Sequence, residues 1–397
     1  MARNQSNESA PLTLEELKEP LTPAERQEMD NPFFIHQLNM FIEGVNSIPD
    51  LSQSKRHSVT EQLRGHVRRR VEVNQTILDN PDIANMEINP VFIIGLPRSG
   101  TTMLYRLLAN DPKFVAPMTW ELLKPCPPGR PEQWKDTERY KKAKEYYYHI
   151  YPGEFDKFQH IHETSLDMPD ECFLILQHAM LDNGWSMCAN FKKLRDFTWT
   201  LPQDIETEVY EYYKRALKCI FYNGLQNGEV PLLKAPFHLF YIQTMKKVFP
   251  NATFIFPYRN VKEMYGSTCS IFYNSGIITG FKVTKEYMTE YIQTYFKLCT
   301  PRVMNAMKTM PQNRLCAVAY SKMVKDPLAA VNEIYANFGW DVSPEMMENM
   351  QRHMVEHKQH KYGKHVYSYE EFSITDEQIK ETMSEYLEHF GTRENLF

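Results

Sequence analysis

The chain has 397 residues, 42% hydrophobic and 24% charged, the make-up of an ordinary globular protein able to bury a large core. A net charge of -5 excludes a global basic field for nucleic acid, and no run approaches the roughly 18 apolar residues a membrane span needs. Seven dispersed cysteines without a C-x-x-C pair predict reduced thiols, and the N-terminal residues lack the apolar core of a signal peptide, so a cytoplasmic protein is expected.

Residues 1–30 are polar and punctuated by proline, and are expected to form an extended N-terminal arm. No linker divides the remainder of the chain, so 31–397 is expected to be a single domain. A helix is predicted from Pro32 to about Val45, and a second over about 56–79. The second carries Arg64, Arg68, Arg69 and Arg70, a cluster that reads as a solvated helix face. Val91–Ile94 is an apolar strand, followed by Gly95-Leu-Pro-Arg-Ser-Gly-Thr-Thr102. A helix over about 100–109 places Met103, Leu104, Leu107 and Leu108 on one face, and Asn110-Asp-Pro112 stops it.

Residues 113–135 are irregular and rich in proline, and helices are predicted near 136–149, 169–182 and 203–225. Further strands are predicted over 230–234, 252–258 and 315–320, with helices after the second and third and another near 375–390. Strands alternating with helices predict a parallel sheet covered on both faces, an α/β fold.

The segment 95–102 is the most informative. Gly95 and Gly100 allow a backbone in which successive N–H groups aim at one anion. Thr101 and Thr102 open a helix whose N-terminus favours negative charge. Arg98 adds a permanently charged fork suited to phosphate or sulfate oxygens. An ATP-hydrolysing P-loop would have Gly-Lys-Ser/Thr here instead.

This Pro97-Arg-Ser-Gly-Thr-Thr102 loop after an apolar strand resembles the 5′-phosphosulfate loop of sulfotransferases that use PAPS, 3′-phosphoadenosine 5′-phosphosulfate. It is closer to the branch with Arg in the loop, which includes tyrosylprotein, bacterial and small-molecule sulfotransferases. Tyr258-Arg-Asn-Val-Lys-Glu-Met-Tyr-Gly-Ser267 is similar to the family's second signature, where an Arg and a Ser hold the 3′-phosphate. Leu232-Leu-Lys-Ala-Pro-Phe-His238 resembles the strand end that contributes a catalytic Lys or His. Ala319-Tyr-Ser-Lys-Met-Val-Lys-Asp-Pro327 and His365-Val-Tyr-Ser-Tyr-Glu-Glu-Phe372 resemble later segments, with Ser321 in place of the usual acid. The likeness spans about 90–390 and is weak over 125–225.

The resemblance implies a P-loop-like fold with about five parallel strands, flanked by helices, and a helical acceptor-binding insertion at about 113–225. It implies sulfonate transfer from PAPS to a hydroxyl, with no metal required. Arg98, Ser99, Gly100, Thr101 and Thr102 would hold the 5′ end of the donor, Arg259 and Ser267 its 3′-phosphate, and Tyr320 its adenine. Lys361 and Lys364, in a basic cluster around Gly363, would close over the phosphate or form a solvated loop.

Lys234 would neutralise charge on the leaving group. The resemblance, to members in which a Glu shortly after the loop helix removes the acceptor proton, implies Glu121 as base, beside Trp120 and proline-rich walls, or else His238, with Glu171 as a rival whose place at a helix start capping alone would explain. His160 and His162 lack a matching third metal ligand. The aromatic and Met-rich stretch 113–225 predicts a small apolar alcohol or phenol as acceptor, and a homodimer is compatible with the class. Two rival readings are a P-loop kinase, opposed by Arg259 where an Mg²⁺-binding Asp would stand, and a non-catalytic nucleotide-binding scaffold.

Overall fold

In the computed structural model the described residues are 11–49, 51–150, 164–181, 183–225, 228–278, 283–356, 368–391 and 396–397. Five short strands form one parallel sheet: β1 (Val91–Ile93), β2 (Phe114–Val115), β3 (Val230–Lys234), β4 (Thr253–Tyr258) and β5 (Leu315–Ala319). Their order is β2-β3-β1-β4-β5. The strands are apolar on both sides because both faces of the sheet are covered. Val91 and Ile93 face one core, with Leu104, Leu107 and Leu108 of the helix Thr101–Leu108 and Val331 and Ile334 of the helix Pro327–Phe338. Phe92 and Ile94 face the larger core on the other side, the two-residue alternation of a strand.

Phe92 sits in register with Leu233 and Phe254, so β1 is the centre of the sheet. The chain leaves β1 toward β2 and β3 on one side and reaches β4 and β5 on the other. The carboxyl end of β1 is thus a topological switch point, where the connections diverge and leave a crevice. Pro257 inside β4 is tolerated for a related reason. Ile255 accepts from the Ile94 amide at 2.9 Å, and Pro257 faces the same side two residues on, past the end of β1, so no ladder partner is lost.

Residues 14–29 correct the expected extended arm. They form helices Leu14–Lys18 and Pro23–Met29, and Leu12, Leu17, Leu21 and Met29 are buried in the larger core. The second helix opens with a capping box between Thr22 and Glu25 and has Pro23 in its first turn, so proline here starts a helix.

The arginine cluster is also corrected. On the helix Gln53–Asp79, Arg64, Arg69 and Arg70 are buried. Arg64 donates to the Leu17 carbonyl at 3.1 Å, and Arg70 donates to Glu28 at 2.8 Å with its guanidinium over Tyr212 at 4.4 Å. The helix is packed between the N-terminal helices and the helix Gln203–Phe221 and has little solvated face. Two helices, Lys285–Thr309 and Pro344–Glu356, are not among those expected from the sequence, and the first runs on through Pro301. Among the described residues no helix is long and apolar enough to cross a membrane.

Three histidines in this interior, His66, His178 and His238, are held below their ordinary value of 6.5 because burial removes the water that would solvate an imidazolium, His238 to about 3. Below pH 6.5 the unfolded chain gains protons at these sites and the folded chain does not. Their contribution is therefore fully present above pH 6.5 and is lost as the pH falls below it, for His238 until about pH 3, at roughly 1.4 kcal/mol per pH unit per histidine. Urea midpoints at pH 7.5 and 5.5 should show the loss. Replacing His238 with Gln should flatten the slope, and an unchanged slope would refute this origin.

Candidate functional site

The loop after β1 is built by backbone geometry that few residues adopt. Arg98 has φ of 64° and Gly100 has φ of 99°, both left-handed. A Cβ on Gly95 would lie 2.6 Å from Ser99 Oγ, and one on Gly100 would lie 2.6 Å from the Tyr320 ring. Close approach requires glycine at both positions, and at Gly100 the backbone conformation requires it too. The Ser99 hydroxyl is wholly buried and lacks a hydrogen-bond partner among the described residues. Gly100 is the N-cap of the helix Thr101–Leu108 and offers no side chain to its first-turn N–H groups. Alternating left-handed residues, an orphaned hydroxyl and uncapped amides together fit a bound polyanion such as the sulfate end of PAPS.

The second signature packs directly on this loop. Arg98 Nε donates to Ser267 Oγ at 2.8 Å, and Arg259 Nη1 donates to the Arg98 carbonyl at 3.0 Å. Arg259 also pairs with Glu263 at 2.7 Å and lies over the Tyr320 ring at 4.1 Å. Asn260 caps the helix Val261–Ile278 by accepting from the Glu263 amide at 3.2 Å. Sequence separations of 169 and 161 residues are thereby reduced to hydrogen bonds around one strained peptide.

Lys234 ends β3, where the strand register sets it beside Ile93 at the root of the loop. Its ammonium is buried, donates to Glu171 Oε1 at 2.7 Å and reaches Thr102 Oγ1 at 3.4 Å. The Cys172 amide donates to the Lys234 carbonyl at 3.0 Å, which fixes the Met168–Cys172 segment against the strand end. A cleft of about 330 Å³ opens here. Its polar side is formed by Arg98, Thr101, Thr102, Asp170, Glu171 and Arg259, and its far side by apolar side chains including Phe173, Met187, Phe237 and Phe272.

Two of the three candidate bases lie outside this lining. Glu121 is buried, takes both nitrogen contacts of Arg130 on its two oxygens and accepts from the Met118 amide at 2.9 Å. It is committed as the counter-ion of a proline-rich loop, contrary to a role as base. His238 is also buried, on the 3₁₀ segment Pro236–Tyr241, with Tyr210 Oη at 2.8 Å from Nδ1 and Cys172 Sγ at 3.2 Å from Nε2. Its environment is that of a core histidine, and its lowered pKa makes it a poor proton acceptor. Glu171 alone of the three faces the cleft. Lys361 and Lys364, like His160 and His162, lie outside the described residues.

Sequence reasoning passes over Asp170 and the far wall. Asp170 accepts from Thr164 Oγ1 at 2.6 Å and from the Glu171 amide at 2.7 Å, which orients Glu171. Phe272 and Tyr295 come from helices where an aromatic residue is indistinguishable from core by pattern.

Comparison with known proteins places these features in context. The model of the "Sulfotransferase family" matches residues 90–344, which include the loop, Lys234, Arg259 and Ser267. Omega-hydroxy-beta-dihydromenaquinone-9 sulfotransferase Stf3 from Mycobacterium bovis is 21% identical over 321 residues, covering 79% of this chain and 77% of the relative. The crystal structure of sulfotransferase STF9 from Mycobacterium avium aligns with a TM-score of 0.78 at 20% identity, covering 96% of this chain and 97% of that one. Sulfotransferase STF1 from Mycobacterium tuberculosis H37Rv aligns with a TM-score of 0.74 at 21% identity, covering 94% and 99%.

Proposed function

The chain belongs to the sulfotransferase family, with its P-loop-like α/β fold, and on that premise we propose that it moves a sulfonate group from PAPS to a hydroxyl of a small apolar acceptor in the cytoplasm. The observation that supports this most directly is that the anion-fitting loop and Glu171 line one cleft, with the Lys234 ammonium bonded to Thr102 and Glu171 behind that lining. When bound, PAPS supplies the sulfonate that is transferred in line between two oxygens. The Ser99 hydroxyl, the loop amides and Arg98 hold the sulfate end, and Arg259 with Ser267 holds the 3′-phosphate beside Tyr320. Lys234 offsets negative charge where the transferred group departs, so the proposal gives no role to a metal.

Glu171 takes the acceptor proton. Its second oxygen has no bond to Lys234, and its side chain keeps 19% of its surface. Lys234 donates to its other oxygen and holds the carboxylate in place, and Asp170 fixes the backbone beneath it. For the acceptor, the far wall favours a hydroxyl on an apolar body. The Stf3 relative acts on omega-hydroxy-beta-dihydromenaquinone-9, and from it only the class is carried over, a hydroxyl-bearing small molecule. Residues 113–225 would supply Phe173, Leu174 and Met187 of that wall, within a single domain that also takes in the N-terminal helices.

Incubating the protein with cell extract and PAPS, and in parallel with ATP and Mg²⁺, tests the reading. The expected result is a species that gains one sulfonate by mass spectrometry with PAPS and no phosphorylated product with ATP. Phosphorylation of an acceptor without PAPS turnover would overturn it in favour of a kinase. Binding of 3′-phosphoadenosine 5′-phosphate without turnover would favour a scaffold.

A further inference from the structure

On the apolar wall of the cleft, Tyr295 is anomalous. It sits within the helix Lys285–Thr309 and is only 2% exposed, yet it lines the cleft. Its ring is clamped edge-on by Phe240 at 5.0 Å and by Trp199 at 5.7 Å, with Phe272 at 6.1 Å, so it has little freedom to turn away. Its hydroxyl has no hydrogen-bond partner among the described residues. Tyr210 and Tyr241, by contrast, are satisfied by His238 and the Thr198 carbonyl, whereas the Tyr105 hydroxyl, unpartnered among the described residues, is buried away from the cleft lining.

The ring is packed in an aromatic cage while the hydroxyl is not among the buried unpartnered atoms, so it opens onto the cleft and not into the core. The side chain is therefore placed to donate to a group that enters the cleft. Burial above all, with smaller contributions from neighbours including the Glu171 carboxylate, holds the phenol well above its ordinary pKa. Tyr295 thus remains a protonated donor at neutral pH and lies within electrostatic reach of the proposed base.

We infer that Tyr295 is a specificity-determining residue for the acceptor: its hydroxyl donates a hydrogen bond to the acceptor's reacting oxygen while Glu171 accepts the proton that oxygen gives up. The inference rests on the proposed sulfonate transfer to a hydroxyl. Tyr295 keeps its own proton throughout, and the acceptor proton ends on a Glu171 carboxylate oxygen. Donor and acceptor then grip the same oxygen from the two sides of the cleft. A ligand of equal shape without the hydroxyl leaves Tyr295 and Glu171 both unpaired and is rejected. The recognised class is an apolar alcohol or phenol whose only polar group within the cleft is the one that reacts.

The test uses the full chain and Tyr295→Phe, which keeps the ring. Calorimetry on protein saturated with 3′-phosphoadenosine 5′-phosphate would compare 2-naphthol with naphthalene and 1-octanol with octane. Wild type should prefer each hydroxyl ligand by about tenfold, and Tyr295→Phe should lose that preference. Turnover of 2-naphthol with PAPS should fall about tenfold or more in kcat/KM, while nucleotide affinity and thermal stability stay close to those of wild type. Ser275→Ala, on the same wall, should keep the preference. Retained preference and turnover in Tyr295→Phe would overturn the inference and leave the sulfotransferase reading intact. If wild type turns over PAPS with neither hydroxyl ligand and binds neither, the inferred class of acceptor is wrong. Failure to bind the nucleotide would instead count against the proposed function itself.

Discussion

Arg98→Ala is expected to abolish measurable donor turnover and to weaken binding of 3′-phosphoadenosine 5′-phosphate by at least a hundredfold. The side chain is the one fixed cationic fork within the loop itself, and charge-assisted hydrogen bonds to an anion are worth roughly 1.5–3 kcal/mol each. Two of them lost give about 3 kcal/mol or more, and each 1.36 kcal/mol is tenfold. A second effect acts through the fold. Arg98 Nε holds Ser267 at 2.8 Å, so the substitution also frees a residue proposed to contact the 3′-phosphate.

Arg98→Lys separates charge from geometry. It retains the positive charge and loses the planar fork, so it should recover part of the affinity and little of the bridge to Ser267. Global stability should be barely changed, because alanine removes no core contact and the left-handed backbone at φ of 64° disfavours both residues alike. Nucleotide calorimetry, thermal melting and PAPS turnover on the three proteins check this. An Arg98→Ala protein with unchanged affinity and rate would remove the loop from the site.

The loop and the sheet were largely legible because their signals are local. Largely apolar runs of four to seven residues mark β1, β3, β4 and β5, and the alternation with helices implies parallel pairing. The pairing of Arg98 with Arg259 and Ser267 could be anticipated only through the family resemblance, since those residues are far apart in the chain. β2 was hidden, being two residues long in a proline-rich stretch. The N-terminal helices were legible and misread: Thr22-Pro-Ala-Glu25 is a capping box, but the surrounding prolines suggested an arm.

The choice of base shows why side-chain roles are harder to read. The resemblance points to Glu121 because a Glu shortly after the loop helix serves as base in that branch, and Trp120 and a Pro-rich segment beside it predict desolvation. What decides its role is Arg130, nine residues on, folding back to neutralise it. Similarly His238 lies four residues beyond Lys234, yet the tight 3₁₀ segment turns it into the core beneath Phe92. Glu171 is 63 residues from Lys234 in sequence, and no local pattern connects them.

Glu171→Gln should therefore lower kcat by about 10² to 10⁴, the range supplied by a positioned general base, with nucleotide affinity close to that of wild type. Glutamine keeps a carbonyl for Lys234 to donate to, so the pair retains its shape and loses its charge. Some stability should also be lost, because the Lys234 ammonium is 1% exposed and is left without a counter-charge beside it. Glu121→Gln should behave in the opposite way. The Met118 amide keeps its acceptor and Arg130 loses its anion, so melting temperature should fall by the equivalent of about 1–3 kcal/mol while kcat of the folded protein stays within a few-fold. His238→Gln serves as a third arm and should also preserve kcat, since that side chain meets only core partners. Because the three substitutions trade stability and rate in different proportions, measuring both on each protein identifies the base. Normal turnover in Glu171→Gln together with an inactive but folded Glu121→Gln or His238→Gln would return the base to the position that sequence alone favours.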